Sequence, residues 1–294
     1  MSPARTDLLC ARAQMLAQAR SFFAERNILE VDTPHLVPRA PLDSNIDVIE
    51  AEGGFLHTSP EYAMKRLLAA GAPDIYFLGH VFRKNEIGPR HNPEFTMAEW
   101  YRKGISFDAM IQETCAFLFL FLGPLPIRYL SYREAFALYA KDRSTLDPSW
   151  DEATQRDYLL THQIEPHLGR GELTVLLDYP PDQAALACLI EKGGQLVAER
   201  FEIYHEGIEL TNGYHELTNS AELRKRFEKD NQLRKSQGKE PYRLDEAFLA
   251  ALNHLPDCCG VSVGFDRAFA LMQKKAKLSE VLPFAWPTLL TPPA

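Results

Sequence analysis

Residues 76–102 read YFLGHVFRKNEIGPRHNPEFTMAEWYR, and this stretch decides the fold. In its first arm Gly79, Val81 and Arg83 alternate with Leu78, His80 and Phe82, the period of two that marks a strand. In its second arm Phe95, Met97, Glu99 and Tyr101 fall on one face. Between the arms lie Asn85, Glu86, Gly88, Pro89, Arg90, His91, Asn92 and Pro93, too polar for a core and too long for a two-residue turn. The segment predicts a β-hairpin with a charged, rigid loop, and Arg83 reaches the sheet face at the end of the first arm. An arginine fork matches a phosphate bidentately, and carboxylate, amide and carbonyl groups beside it can read a purine edge. Taken in isolation, the same loop is equally consistent with a solvated hairpin tip.

A chain of 294 residues with 46% hydrophobic content has enough apolar side chains for a sizeable core. Lys and Arg total 32 against 40 Asp and Glu, a net charge of −8. The molecule as a whole therefore repels polyanions, and a nucleic-acid partner would need a local basic patch. Cys10, Cys115, Cys188, Cys258 and Cys259 show no CxxC spacing, which argues against a zinc site or a disulfide framework and for a reducing, cytoplasmic setting. The N-terminus carries Arg5, Asp7 and Arg12 without an apolar signal core, and the apolar run 116–122 is too short to cross a bilayer. No membrane partner is expected.

Before the hairpin, Leu9, Ala13, Leu16, Ala17 and Phe23 sit at helical spacing within residues 8–27 and run into Ile28-Leu29-Glu30-Val31 and a stop at Pro34, which predicts a helix leading into a strand. His57-Thr58-Ser59-Pro60-Glu61 opens a helix over residues 62–70, capped by Ser59 or Thr58 and ended at Gly71, with Leu67 and Leu68 inward. Glu61 would at least favour the helix dipole, by about 0.3–1 kcal/mol. After the hairpin, residues 106–122 predict an amphipathic helix on the sheet's back, and residues 129–195 read as helix and loop with scaffold duties only.

Residues 200–216, RFEIYHEGIELTNGYHE, alternate like two strands joined near His205-Glu206-Gly207. Glu209 and Glu216 flank Asn212-Gly213, a turn signal that would fold them towards one spot. Converging carboxylates repel unless a cation joins them, so they imply Mg²⁺, a substrate ammonium group, or both. His215-Glu216 lacks the second histidine of the HExxH zinc motif. Residues 221–239 place Arg224, Lys225, Arg226, Lys229, Arg234 and Lys235 on a helix, a solvated face and the best patch for docking an acidic macromolecule. Residues 259–267 run strand into helix, where glycine permits close approach and the helix start with Arg267 makes an anion site.

Arg83 followed eight residues later by His91-Asn92-Pro93-Glu94-Phe95-Thr96 resembles motif 2 of the class II aminoacyl-tRNA synthetases, in the version of their lysine branch. RSFFAERNILEVDTPHL, residues 20–36, is similar to motif 1, which implies a homodimer interface at Pro34. GIELTNGYHEL, residues 207–217, and the Cys259 to Arg267 stretch resemble the glutamate segment and motif 3 of the same family. The resemblance runs from about Thr6 to Pro287. It implies an α+β fold, a class II synthetase catalytic core whose mainly antiparallel β-sheet is flanked by helices. Residues 1–294 would form a single catalytic domain, with no room before motif 1 for an anticodon-binding OB domain.

The resemblance further implies ATP and Mg²⁺. Arg83 and Arg267 would be catalytic on the phosphates. Lys84, Asn85, Glu86, Asn92, Glu209, Leu210 and Gly264 would join them around ATP, and Ser59, Pro60, Glu61, Tyr101, Glu216 and Ser262 would surround the amino acid. Glu209 and Glu216 would hold the metal. Lys84-Asn85-Glu86 departs from the Arg-Asn-Glu spacing of lysyl enzymes and leaves open whether Asn85 or Glu86 meets the adenine. Ser59 and Ser262 stand where lysyl-tRNA synthetases carry alanine and glycine. With the missing OB domain, they point to the protein-modifying members of the branch, which attach (R)-β-lysine to a lysine side chain of elongation factor P. The expectation is adenylation of lysine or β-lysine and transfer to elongation factor P by a homodimer, with tRNA not the acceptor. The alternative is a truncated lysyl-tRNA synthetase-like enzyme charging tRNA or a small amine.

Overall fold

The two arms of residues 76–102 pair as the alternation predicts, and around them the sheet grows to nine strands. The computed structural model describes residues 3–42 and 46–286. Helix α1 (Pro3–Ala24) ends in a turn at Asn27, whose φ of +55° is a left-handed conformation that asparagine tolerates, and leads into β1 (Leu29–Glu30). A small sheet of β2 (Leu36–Val37), β3 (Ile49–Ala51) and β4 (Gly54–Leu56) precedes α2 (Glu61–Ala69) and the hairpin, β5 (Ile75–Phe82) and β6 (Glu94–Lys103). Helix α3 (Phe107–Leu122) starts where the Ser106 hydroxyl accepts from the Ala109 amide and stops at Gly123, φ +72°.

Residues 129–195 are more than helix and loop. Besides α4 (Tyr132–Tyr139) and α5 (Glu152–Leu159), this region supplies most of β7 (Ile127–Ser131) and all of β8 (Leu173–Tyr179) and β9 (Leu189–Lys192), which belong to the main sheet. Their short apolar runs carry no periodicity that separates a buried strand from a helix turn. Strands β10 (Gln195–His205) and β11 (Ile208–His215) are joined at Glu206 and Gly207, both at positive φ, the backbone of a tight two-residue hairpin turn. Helices α6 (Ser220–Ser236) and α7 (Glu246–Leu252), then β12 (Cys258–Gly264) and α8 (Phe265–Met272), complete the order.

The strands lie in the order β1-β5-β6-β12-β11-β10-β8-β7, with β9 on β10. Only the β1/β5 and β7/β8 pairs are parallel, so the fold is α+β with a mostly antiparallel sheet. The period of two sorts its faces. Ala98 and Trp100 of β6 and Val261 and Val263 of β12 point back into the core that includes residues of α1, α3 and α8, where Phe23 and Phe117 each lie 5.3 Å from Trp100. Truncating an aromatic side chain buried this fully costs about 3–5 kcal/mol. Met97, Glu99 and Tyr101 point forward instead. On that side α2 and α7 cover one end of the sheet, α4 with Ile164 and Leu168 covers the other, and the middle is open.

Within α2, Leu68 is buried but Leu67 turns to solvent, and the inward position is taken by Lys65. On α6 the basic patch is partly spent, because Arg224 pairs with Glu246, Arg226 with Glu222 and Arg234 with Asp47. Among the described residues no helix is long and apolar enough to cross a membrane.

Candidate active site

The open front of the sheet holds two adjoining hollows of about 690 and 720 Å³, and Ile46, Arg83, Met97, Asn212 and Ser262 line both.

In the first hollow, Arg83 leaves the end of β5 with its guanidinium 5.2 Å over the Phe95 ring and Nη1 3.6 Å from Glu86. Its Nε is buried and has no hydrogen-bond partner among the described residues, a donor that costs energy unless a ligand accepts from it. Facing it, α8 begins at Gly264 with no side-chain cap. Arg267 is held by three acceptors: the Glu209 carbonyl at 3.0 Å, the Arg90 carbonyl at 3.3 Å and His91 Nε2 at 2.7 Å. A guanidinium only donates, so His91 presents a lone pair; burial and the adjacent Arg267 charge lower its pKa and keep it neutral. The start of α8 is fixed by Asp266, which accepts from Arg12 at 2.6 Å and from the Thr96 amide at 2.8 Å.

Glu209 reaches this hollow by a route its spacing does not suggest. Asn212-Gly213 form no turn, because β11 runs straight through them. Along a straight strand an odd step of seven would put Glu209 and Glu216 on opposite faces. A bulge corrects this: the pairing with β10 passes from Ile203↔Thr211 to Tyr204↔Glu209, so Leu210 is the extra residue. Glu209 lies in the first hollow and Glu216 in the second, and neither lines the other's.

The second hollow is acidic. Glu99 and Glu216 are almost fully buried, and Glu61 opens α2 beside them. Glu99 accepts from Ser59 Oγ at 2.7 Å and from the Tyr101 hydroxyl at 2.8 Å. Ser59 Oγ also accepts from the Glu61 amide at 3.0 Å, in place of a full helix cap. Lys65 Nζ, 1% exposed, lies 2.6 Å from Glu61 Oε1 and 2.5 Å from Glu216 Oε2. Burial alone would favour the neutral amine, but Glu216 and Glu61 outweigh it and raise its pKa, so the ammonium stays charged. One cation does not balance three carboxylates. Burial, and then the Glu61 charge, push Glu99 up to about 8; burial pushes Glu216 up to about 7 against the pull of Lys65. Among the described residues, the Glu216 carboxylate finds no hydrogen-bond donor beyond its Lys65 ion pair. This pocket is short of positive charge.

The model of the tRNA synthetases class II (D, K and N) matches residues 1–287. The chain belongs to this family. Similar curated proteins include those of Yersinia enterocolitica (40% identical, 94% of each chain), Hamiltonella defensa (38%, 94% of each) and Haemophilus ducreyi (39%, 94% of this chain and 93% of that one), each named elongation factor P–(R)-β-lysine ligase.

Set in this class II core, the motif 2 and motif 3 arginines share the first hollow with Glu86, Asn92, Glu209, Leu210 and Gly264. Lys84 and Asn85 do not line it. The Lys84 amide donates to the Asp47 carbonyl, and Asn85 takes up the extra residue at φ +64°, which leaves Glu86 as the acid at the hollow. Asn92 lines the wall with its amide already engaged, donating to the Glu94 carbonyl at 2.6 Å and accepting from the Trp286 amide at 2.8 Å. Ser59, Glu61, Tyr101, Glu216 and Ser262 line the second hollow, whereas Pro60 is the N-cap of α2 and only positions Glu61.

The reading missed Lys65, Glu99 and Asn212 as site residues. Glu99 could have been found two residues before Tyr101 on one strand face, and Lys65 one helical turn after Glu61.

For the Mg²⁺ that the family implies, Glu209 fits and Glu216 does not. The Glu209 carboxylate is 38% exposed toward the hollow, and Glu165, from the stretch thought inert, stands near it with its own pKa pushed up to about 7 by burial and the Glu209 charge. A cation would relieve that corner. Glu216 is buried against Lys65. Among the described residues no three His, Cys, Asp or Glu side chains gather as a metal site. Glu209 would therefore share the ion with the nucleotide phosphates, the usual arrangement for magnesium, and the ion would neutralise the triphosphate charge.

Gly260 makes the second hollow possible. A Cβ built there would lie 2.2 Å from the Tyr101 ring and 2.4 Å from Glu216 Oε1. Gly260→Ala is expected to raise the KM for the amino acid at least about 10-fold, the scale of one displaced polar contact, with little change in the KM for ATP. Steady-state exchange kinetics with each substrate varied would check this.

Proposed function

We propose that this chain activates lysine or (R)-β-lysine with ATP and transfers the acyl group to a lysine side chain of elongation factor P. The observation that carries the reading is Arg83, whose unpaired Nε lies on the wall common to a hollow with a second arginine and a hollow with buried carboxylates. The substrate carboxylate and the α-phosphate would meet there. A carboxylate oxygen attacks the α-phosphorus, the bond to the β-phosphate breaks, and pyrophosphate leaves past Arg267. The acceptor amine then attacks the acyl carbon, AMP departs, and an amide forms with loss of one proton. Positioning and charge stabilisation dominate phosphorus chemistry of this kind, so no side chain need act as nucleophile.

Glu61, Glu99 and Glu216, gathered around the single buried ammonium of Lys65, suit a substrate with two ammonium groups. A site with buried acceptors rejects analogues that leave them unpaired, by roughly 10⁴-fold. Ser59 and Ser262, together with the names of the relatives, favour the β-isomer and the protein acceptor. Exposed Leu29 on the edge strand β1 and Leu36 beyond Pro34 suit a symmetric dimer through the N-terminal segment, and an acceptor that is a translation factor would place the work in the cytoplasm. Pyrophosphate exchange with lysine, (R)-β-lysine and aspartate, followed by transfer to elongation factor P or to bulk tRNA, tests the proposal. Exchange with aspartate alone defeats the lysine reading, and efficient tRNA charging defeats the protein acceptor. Sedimentation equilibrium at the mass of a monomer defeats the dimer.

Binding should depend on pH. Glu99 and Glu216 have pKa values raised to about 8 and about 7, so in the empty pocket protons hold part of their charge. A dication favours the ionised forms, and binding expels those protons. The KM for the amino acid should fall by at least about 10-fold from pH 6 to pH 8, the decade that a group titrating near 7 supplies by itself, and should level off only above pH 8, where the second carboxyl has also ionised. Calorimetry near pH 7 in buffers of different ionisation enthalpy should register proton release. Proton uptake would reverse the sign and refute the charge assignment.

A further inference from the structure

We propose that Arg200 is a positioning residue for the activation step: it fixes the Asn212 side chain so that its amide nitrogen donates to the substrate carboxylate where the two hollows meet. The inference rests on the function proposed above. Asn212 lies on the shared wall, in register with Glu202 of β10 on one side and Ser262 of β12 on the other. Arg200 Nε contacts Asn212 Oδ1 at 3.2 Å. A guanidinium has no lone pair, so the amide atom it meets must be the oxygen, and the assignment of the two ends of the amide follows from chemistry. The Asn212 nitrogen, with two N–H groups, is left to the cleft. Among the described residues it has no protein acceptor.

The guanidinium itself cannot turn. Nη1 donates to the Gln183 carbonyl at 2.7 Å, and Nη2 to Glu202 Oε1 at 2.6 Å. The plane lies 4.5 Å from the Tyr179 ring centroid and 5.9 Å from that of Tyr214. Glu202, 5% exposed, is locked in turn, because its Oε2 accepts from the Tyr179 and Tyr204 hydroxyls at 2.6 Å each. Arg200 is thus neutralised by Glu202 and adds little field at the junction. What it supplies is orientation. Ser262 steadies the same residue from the other strand, its hydroxyl donating to the main-chain carbonyl of Asn212 at 3.3 Å.

The test separates orientation from bulk stability by comparing (R)-β-lysine with its carboxamide, which keeps both ammonium groups and lacks the carboxylate. Calorimetric Kd values are measured for the wild type, Arg200→Lys and Asn212→Asp, with a thermal melt of each. The wild type should bind the acid at least about 10-fold more tightly than the carboxamide, the scale of a charge-assisted hydrogen bond. Arg200→Lys cannot reach all three acceptors, and it should lose most of that preference by weakening the acid alone. Asn212→Asp keeps an oxygen for Arg200 but presents a second to the cleft. It should melt no lower than the wild type and invert the preference, because an oxygen repels a carboxylate and accepts from a carboxamide. A wild-type acid preference retained by Asn212→Asp, or equal weakening of both ligands by Arg200→Lys, would overturn the positioning role. A wild type that binds neither compound would instead refute the proposed function beneath it.

Discussion

Replacing Arg83 with alanine is expected to cut amino-acid-dependent pyrophosphate exchange by about 10²–10³-fold, the usual cost of removing a preorganised group aimed at developing charge. The effect belongs mainly in kcat. Arg267 is already committed to the Arg90 and Glu209 carbonyls and to His91, so it has little freedom to replace a cation on the shared wall. Arg83, by contrast, keeps its buried Nε for a ligand. Arg83→Lys should restore little, since a point charge lacks the fork that spans two phosphate oxygens. Because the alanine variant removes an orphan donor, its melting temperature should not fall. Exchange within threefold of the wild type would mean that the α-phosphate does not lie where the two hollows meet.

Lys65→Met should destabilise the protein by about 3–5 kcal/mol, because deleting one member of a buried ion pair strands its partner. Here it strands two carboxylates, Glu61 and Glu216, around a side chain that is 1% exposed. The loss should itself depend on pH. Without the ammonium, the folded-state pKa of Glu216 rises further above its unfolded value, so stability is retained under acid conditions where the carboxyl is protonated and lost as pH rises towards the folded pKa. Urea denaturation at pH 5 and pH 8 should show the larger deficit at pH 8. A deficit that is equal at both, or larger at pH 5, would show that Lys65 is not the counter-ion of this pocket.

Much of this architecture is legible in the chain. The alternation of Phe95, Met97, Glu99 and Tyr101 fixes one face of β6, and the Glu206-Gly207 turn announces the β10/β11 hairpin. Helix α3 follows from its serine and glycine boundaries. The rest depends on tertiary partners. Leu173-Thr174-Val175-Leu176-Leu177 becomes a strand because β10 and β7 flank it, and nothing in five mostly apolar residues says so. A lysine in the first turns of a helix reads as a solvated residue, and only the fold of β11 brings Glu216 to Lys65. The sidedness of Glu209 hides for the same reason, since a bulge is settled between two strands and not within one.

That bulge also bears on how the hairpin assembles. If β11 zipped onto β10 without skipping Leu210, the Glu209 carboxylate would turn into the hydrocarbon around Phe201 and Ile203, and a leucine would be left in water. Both errors are costly, so the misaligned pairing is penalised twice over. The acid that gives the cleft its chemistry thereby acts, long before any ligand arrives, as a proofreader of the order in which two ribbons lock together.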